Sequence, residues 1–213
     1  MPPMADWTTI SALATAGGTL VLAGATFAAV RSSNRAARAT ERALLAGIRP
    51  VLMPSRFQDP PQKVGFADDH WVKIEGGRAA VEVAGDAIYM AMALRNAGSG
   101  LAVLDRWDFF VGRPTSEQSH RDPAAFRRLT RDIFLPGGDF GFWQGAFRDP
   151  TDPVFAEART AIEERSAITI DLLYGDHEGG QRTITRFAIL PGGDGAWLAI
   201  AARHWNLDRA DPR

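Results

Sequence analysis

"AIYMAMALRNAGSGLAVLDRWDFFVG", residues 87–112, decides the fold. Its first ten residues alternate, with Ile88, Met90, Met92 and Leu94 on one face. A period of two belongs to a strand, because successive side chains leave a pleated backbone on opposite sides. The stretch "NAGSG" (Asn96–Gly100) supplies the Asn and Gly residues from which turns are built. "LAVLDRWDFFVG" then resumes the alternation, with Leu101, Val103, Trp107, Phe109 and Val111 on a common face. Asp105 falls on that same apolar face, and the cost of burying a lone carboxylate predicts an arginine partner for it.

The same pattern recurs on both sides. "RPVLMPSR" (49–56) reads as the first strand, with Pro50 at its start, where a missing N–H is tolerated. "HWVKIE", the pair Gly76-Gly77 and "AAVEV" read as a hairpin. Later, "SAITIDLLYGD" puts Ile168, Ile170, Leu172 and Tyr174 together, and "QRTITRFAIL" and "AWLAIAARHW" follow, separated by "HEGG" and "PGGDG". Arg186 lies in one of these strands and is placed to pair with Asp171 on a neighbour. Short, regularly spaced strands with Gly-rich turns predict a mainly β domain, an Ig-like antiparallel β-sandwich.

One section breaks the pattern. Asp122-Pro123 and Asp152-Pro153 each look like an N-cap followed by proline at the first helical position. Phe126, Leu129 and Ile133 form one apolar stripe, and Phe155, Ala158 and Ile162 another. Two short helices are therefore expected in an insertion over roughly 113–165. The aromatic "LPGGDFGFWQGAF" between them, with Phe140, Phe142, Trp143 and Phe147, packs the helices onto the sheet or lines a groove.

Ahead of the β-domain, no charge occurs between Asp6 and Arg31. At about 1.5 Å per residue that run crosses a hydrocarbon layer of roughly 30 Å. Ile10, Leu13, Leu20, Val21, Leu22, Phe27 and Val30 are its strongly apolar members. Together they favour insertion by about 2–4 kcal/mol, a margin that three glycines and five threonines erode. A secretory signal would need a positive start, which "MPPMADW" lacks, and a buried helix of this length without a polar face is unusual. A transmembrane helix is the expectation, with Trp7 as an interfacial anchor. Arg31, Arg35, Arg38 and Arg42 follow it on one helical face, suited to anionic lipid or to a solvated spacer. Positive charge is retained in the cytoplasm, which points the N-terminus outward and the β-domain inward. Gly17, Val21, Gly24 and Ala28 form a smooth stripe along which two such helices could pack.

Composition removes several function classes. There is no cysteine, hence no disulfide, thiolate nucleophile, Cys-ligated zinc or iron–sulfur cluster. A net charge of −1 gives no bulk attraction for nucleic acid. Lysine occurs only at Lys63 and Lys73. Gly98-Ser99-Gly100 lacks the spacing of a nucleophile elbow, no P-loop occurs, and the four histidines form no H-E-x-x-H arrangement. The one candidate cluster joins "YGDHEGG" to "RHW", that is Tyr174, Asp176, His177, His204 and Trp205. A carboxylate–histidine group there could hold a metal, although Asp, Glu and Gly are also what a hairpin tip requires. No cofactor is expected.

At "RPVL", "LRNAGSGLA", "YGDHEGGQRTITRF" and "RHWNLDR" the chain resembles a group of small actinobacterial membrane-anchored proteins. The N-x-G-x-G-x-A turn beginning at Asn96 also resembles one in other tethered bacterial β-domains. The resemblance implies an anchor plus a β-domain and carries over no catalytic or ligand residue. The expected organisation is a tail and span over 1–30, a basic juxtamembrane helix over 31–48, a β-domain over 49–208 and a tail over 209–213. The expected function is a non-enzymatic, membrane-anchored protein-binding or scaffolding module, its partners being the bilayer and another protein or itself. A tethered ligand or metal sensor is the alternative, and a hydrolase using dispersed Asp and His residues is the third class.

Overall fold

The computed structural model describes residues 6–113, 115 and 118–209, and the chain divides into two compact units, 1–46 and 47–213. Residues 1–5 and 210–213, which hold most of the expected tails, lie outside the described residues.

The first unit is helical. Helix α1, Trp7–Gly47, runs unbroken for 41 residues, so the expected span and juxtamembrane segments are one rod. The uncharged part, Trp7 to Val30, is about 36 Å long at 1.5 Å per residue. Leu13, Leu20, Val21, Leu22 and Phe27 are all about 70% exposed. The hydroxyls of Thr15 and Thr19 donate to the carbonyls of Ser11 and Thr15, both at 2.9 Å, which reduces the polarity the helix presents.

The second unit is an antiparallel β structure. Its strands are β1 (Leu52–Pro54), β2 (Gln62–Gly65), β3 (Trp71–Ile74), β4 (Arg78–Ala84), β5 (Ala87–Asn96), β6 (Ala102–Val111), β7 (Arg127–Leu135), β8 (Phe140–Phe147), β9 (Ile168–Gly175), β10 (Arg182–Pro191) and β11 (Trp197–Asn206). Helix α2, Phe155–Glu163, precedes β9. Nine strands form one curled sheet in the order β1-β5-β4-β11-β10-β9-β6-β7, with β8 on the other edge of β5. The two arms meet where Trp197 and Leu198 pair with Ala79 and Arg78. That short ladder keeps the sheet continuous, where an Ig-like sandwich would have two separate sheets.

The main core lies inside the curl. Ile88, Met90, Met92 and Leu94 of β5 meet Leu172, Tyr174 and Phe187 of the opposite arm, together with Trp143 and Phe147 of β8. The other face of β5, Tyr89, Ala91 and Ala93, is covered by Val64, Phe66, Val72 and Ile74 from the β2–β3 ribbon. Strand β5 is thus buried on both sides, which accounts for its nearly continuous apolar sequence.

Four expectations are corrected. The run "HWVKIE" does not pair with "AAVEV". Strand β3 pairs with β2, and β4 pairs with β5. Gly76 instead packs against the chain at Arg56, where a Cβ would lie 2.0 Å from the carbonyl oxygen. The first inserted helix is a single 3₁₀ turn, Pro123–Ala125, capped by Asp122 as expected but ended at once by the pairing of β7 with β6. Phe126, Leu129 and Ile133 therefore share no helical stripe, and "LPGGDFGFWQGAF" contributes strand β8. Finally, a bulge between Leu104 and Arg106 reverses the side-chain parity of β6. Ala102 and Leu104 are buried before it and Trp107 and Phe109 after it, while Asp105 turns outward and lies 3.8 Å from each of Arg106 and Arg182. The second inserted helix is present: Phe155, Ala158, Ala161 and Ile162 form its buried face, and Asp152 accepts from the Val154 N–H at 3.0 Å.

Candidate functional site

Polar side chains gather on the outer face of β6, β9, β10 and β11. Strand register aligns Asp108 with Asp171, Asp171 with Arg186 and Arg186 with Arg203. Arg186 donates from Nε and Nη2 to the two oxygens of Asp171, each at 2.7 Å, and both residues are essentially fully buried. This is the pair that alternation and opposite charge predict. The guanidinium also donates to the Gln118 and Ser119 carbonyls at 2.8 and 3.3 Å, and lies 5.0 Å from the Phe110 ring and 4.7 Å from the Trp205 ring. His120 meets the edge of Trp205, and Phe126 joins Leu173, Ile184 and Trp205 in a small outer cluster. The described part of the strap over 118–126 is therefore fastened across the sheet by Arg186, by Arg106, which donates to the Ala124 carbonyl at 3.1 Å, and by its own Arg121.

Asp108 is the irregular member. Its Oδ1 is 3.4 Å from Nη1 of Arg121, and its buried Oδ2 has no partner among the described residues. Burial pushes its carboxyl above the usual range, and the charge of Asp171 adds to that against the pull of Arg121. Burial also pushes Asp171 up, against the two bonds from Arg186. With both carboxylates covered, this row is a fastening and offers no open reaction site.

The late-hairpin residues converge only in part. Tyr174 is buried on the inner face, its hydroxyl accepting from the Leu52 N–H at 3.1 Å and lying 2.9 Å from Thr185 Oγ1. Thr185 Oγ1 is in turn 2.7 Å from His204 Nδ1, so Tyr174 and His204 are linked through a hydroxyl. Trp205, the next residue along β11, belongs to the opposite face and the outer cluster. Asp176 is buried at the hairpin tip, where Oδ1 accepts from the N–H groups of Gly180 and Gln181 at 2.9 and 3.3 Å. His177 is exposed, 3.9 Å from Glu178. The candidate carboxylate–histidine group is thus split: Tyr174, Asp176 and His177 border one surface pocket, while His204 and Trp205 lie on opposite faces of β11. Among the described residues, no three of the His, Asp and Glu side chains are placed to hold a metal.

Arg49 closes the Tyr174 end. It donates from Nη1 to Thr183 Oγ1 (3.3 Å), Asn206 Oδ1 (3.1 Å) and Asp208 Oδ1 (3.0 Å).

Two surface features escaped the sequence reading. On the β2–β3 ribbon, Lys63 and Lys73 stand directly opposite each other, and exposed Trp71 pairs with Gly65 beneath the Lys63 ammonium at 5.9 Å. Strands β7 and β8 are joined by the short Pro136–Asp139 turn, yet among the described residues they form no ladder with each other. A cavity of about 150 Å³ lies at that seam. The only sequence signal for either feature is that the chain's two lysines lie ten residues apart.

No family model matches this chain, and no curated protein matches it. Among solved structures it is similar to a Bordetella pertussis protein provisionally named ApaA, at 13% identity over 75% of this chain and 99% of that one, with a TM-score of 0.21. A likeness of that size carries no argument about fold or function.

Proposed function

We propose that this chain is a single-span membrane protein whose β-domain is a binding module held at the cytoplasmic surface. The observation that carries the reading is the exposure of Leu13, Leu20, Val21, Leu22 and Phe27 around a charge-free helix long enough to cross a bilayer. Large apolar side chains exposed on all sides of a helix call for an apolar surrounding, which lipid supplies. The row Arg31, Arg35, Arg38 and Arg42 at the end of the apolar run favours retention of that side in the cytoplasm.

The module reading draws on the ribbon. Like charges directly opposite each other on a sheet are unfavourable, and Lys63 and Lys73 have only Glu75, 3.9 Å from Lys73, to offset them among the described residues. An exposed tryptophan beside two lysines that share one carboxylate suits an acidic protein surface, with Trp71 as the apolar anchor.

Alkaline carbonate extraction with reporter fusions at each end tests the tether. The expected result is retention in the membrane fraction, with cytoplasmic reporter activity at the C-terminus only. Release of the full chain by carbonate, or C-terminal activity outside the cytoplasm, overturns it.

A further inference from the structure

The seam cavity has the makings of an anion site. It is lined by Arg127, Arg128, Arg148, Thr130, Gln144 and the Gly145–Ala146 edge of β8. Arg127 is held bidentately by Asp152 at 2.6 and 2.9 Å, and Arg148 donates to Asp68 at 2.9 Å, so both cations are fixed in place and balanced. Arg128 has no carboxylate partner among the described residues, which leaves the lining with about one surplus positive charge. Residues along an antiparallel strand alternate in the side to which they turn N–H and C=O. Gly145 and Ala146 face Met90 and Tyr89 in the ladder, so one of the two directs its peptide groups away from β5 toward the open edge.

Gln144 narrows the choice of ligand. It is buried, and among the described residues its Oε1 has no hydrogen-bond donor. A buried unmet acceptor is costly, and the surplus charge of Arg128 calls for an anion. An anion that also carries a proton satisfies both demands, as hydrogen phosphate does and sulfate near neutral pH does not. Size agrees: about 150 Å³ is the share of roughly five waters at about 30 Å³ each, well below the ~300 Å³ at which pockets for larger organic ligands begin.

We propose that the β7–β8 seam binds one protonated phosphate-type oxyanion, its charged oxygens toward Arg128 and the free edge of β8 and its P–OH donating to Gln144 Oε1. The site is separate from the membrane reading, since binding is measured in detergent micelles whatever the sidedness of the chain.

The test is calorimetric titration of the full-length protein in mild detergent with inorganic phosphate, and in parallel with sulfate at matched ionic strength. One saturable site is expected for phosphate, with sulfate weaker by about tenfold or more because it leaves Gln144 Oε1 unmet. Arg128→Ala should weaken phosphate by about tenfold. Gln144→Leu should bring phosphate and sulfate to similar affinity, with thermal unfolding confirming the fold of each variant. The phosphate-to-sulfate ratio of the unmodified protein tests the Gln144 assignment even if that variant does not fold. Equal binding of the two anions overturns the protonated-ligand assignment. Absence of saturable heat at roughly 10 mM phosphate, where even a millimolar site would be mostly filled, overturns the site.

Discussion

Asp108 and Asp171 face each other across β6 and β9, yet only Asp171 receives a bidentate guanidinium. The unequal pairing makes Asp108 the stressed partner. Its carboxyl is raised from the ordinary 3.8, so the folded state holds that proton more tightly than the unfolded chain does. The favourable contribution is full below the ordinary value and is lost as pH rises through the higher folded value. Asp108→Asn removes the charge and should raise stability at neutral pH by about 1–2 kcal/mol, with little change at acid pH. Asp171→Asn strands the Arg186 charge and should cost about 3–5 kcal/mol. Urea unfolding at two pH values checks both, and equal effects of Asp108→Asn at the two pH values would count against the assignment.

Tyr89 donates its hydroxyl to Asp68 at 2.6 Å, beside the 2.9 Å bond from Arg148. The two bonds hold the Asp68 carboxyl well below its ordinary range, and the same Tyr89–Asp68 bond raises the phenol above its ordinary 10.0. Asp68→Asn should therefore let Tyr89 ionise at lower pH, seen as earlier phenolate absorbance in an alkaline titration. The chain has two tyrosines, and buried Tyr174, also raised, serves as the internal reference. The stability contribution of Asp68 is present above the ordinary carboxylate value and fades as pH falls through the lower one. With a third of the side chain exposed, it should amount to less than about 1 kcal/mol.

Asn96 gives the N-x-G-x-G-x-A turn its purpose. Its Oδ1 accepts from the N–H groups of Val51 and Gly98, and its Nδ2 donates to the carbonyls of Gly100 and Leu135, so one buried amide ties β1, the turn and the end of β7 together. Gly98 and Gly100 lie flush against the preceding chain, where a Cβ would sit 2.1 Å from the Arg49 carbonyl oxygen or 1.8 Å from that of Ile48. Asn96→Ala should cost about 2–4 kcal/mol by leaving buried groups unmet. Asn96→Asp keeps the two accepted bonds and should fall between it and the parent in urea midpoint. Gly100→Ala should be at least as damaging as Asn96→Ala, because the obstacle is backbone and cannot swing aside.

How much of this was legible follows from where parity held. Arg186 and Asp171 were readable as a pair because β9 and β10 run without a break between them, so opposite charges at matching parity had to meet. Helix α2 was readable because Phe155, Ala158 and Ile162 repeat at a spacing that no strand shares. Alternation alone misplaces Asp105, because a bulge inserts a residue without leaving a mark in composition. Strand β7 is hidden in the sequence because Phe126, Leu129 and Ile133 fit a helical period and the deciding contact, pairing with β6, is distant in sequence. Strand β2 is four residues after two prolines, too short to show a period. The seam was invisible for a different reason: nothing local says that two strands joined by a short turn will leave their facing edges unpaired.

The membrane span is the most exposed part of the proposal, because its margin is small. The seven strongly apolar side chains contribute about 2–4 kcal/mol toward insertion, whereas one arginine near the helix centre costs about 2.5–3.5 kcal/mol. Leu20→Arg removes a favourable residue and adds that cost, which cancels the gain. The variant should move from the carbonate-resistant pellet to the soluble or aggregated fraction, while Leu20→Ile stays in the pellet. Charge and insertion separate in a second variant: replacing Arg31, Arg35, Arg38 and Arg42 together by alanine leaves the apolar run intact, so the chain should still insert but lose its fixed sidedness in a reporter assay. If Leu20→Arg remains membrane-bound, the leading helix is not what holds the protein there. If the arginine-free chain keeps its orientation, some other feature sets the topology.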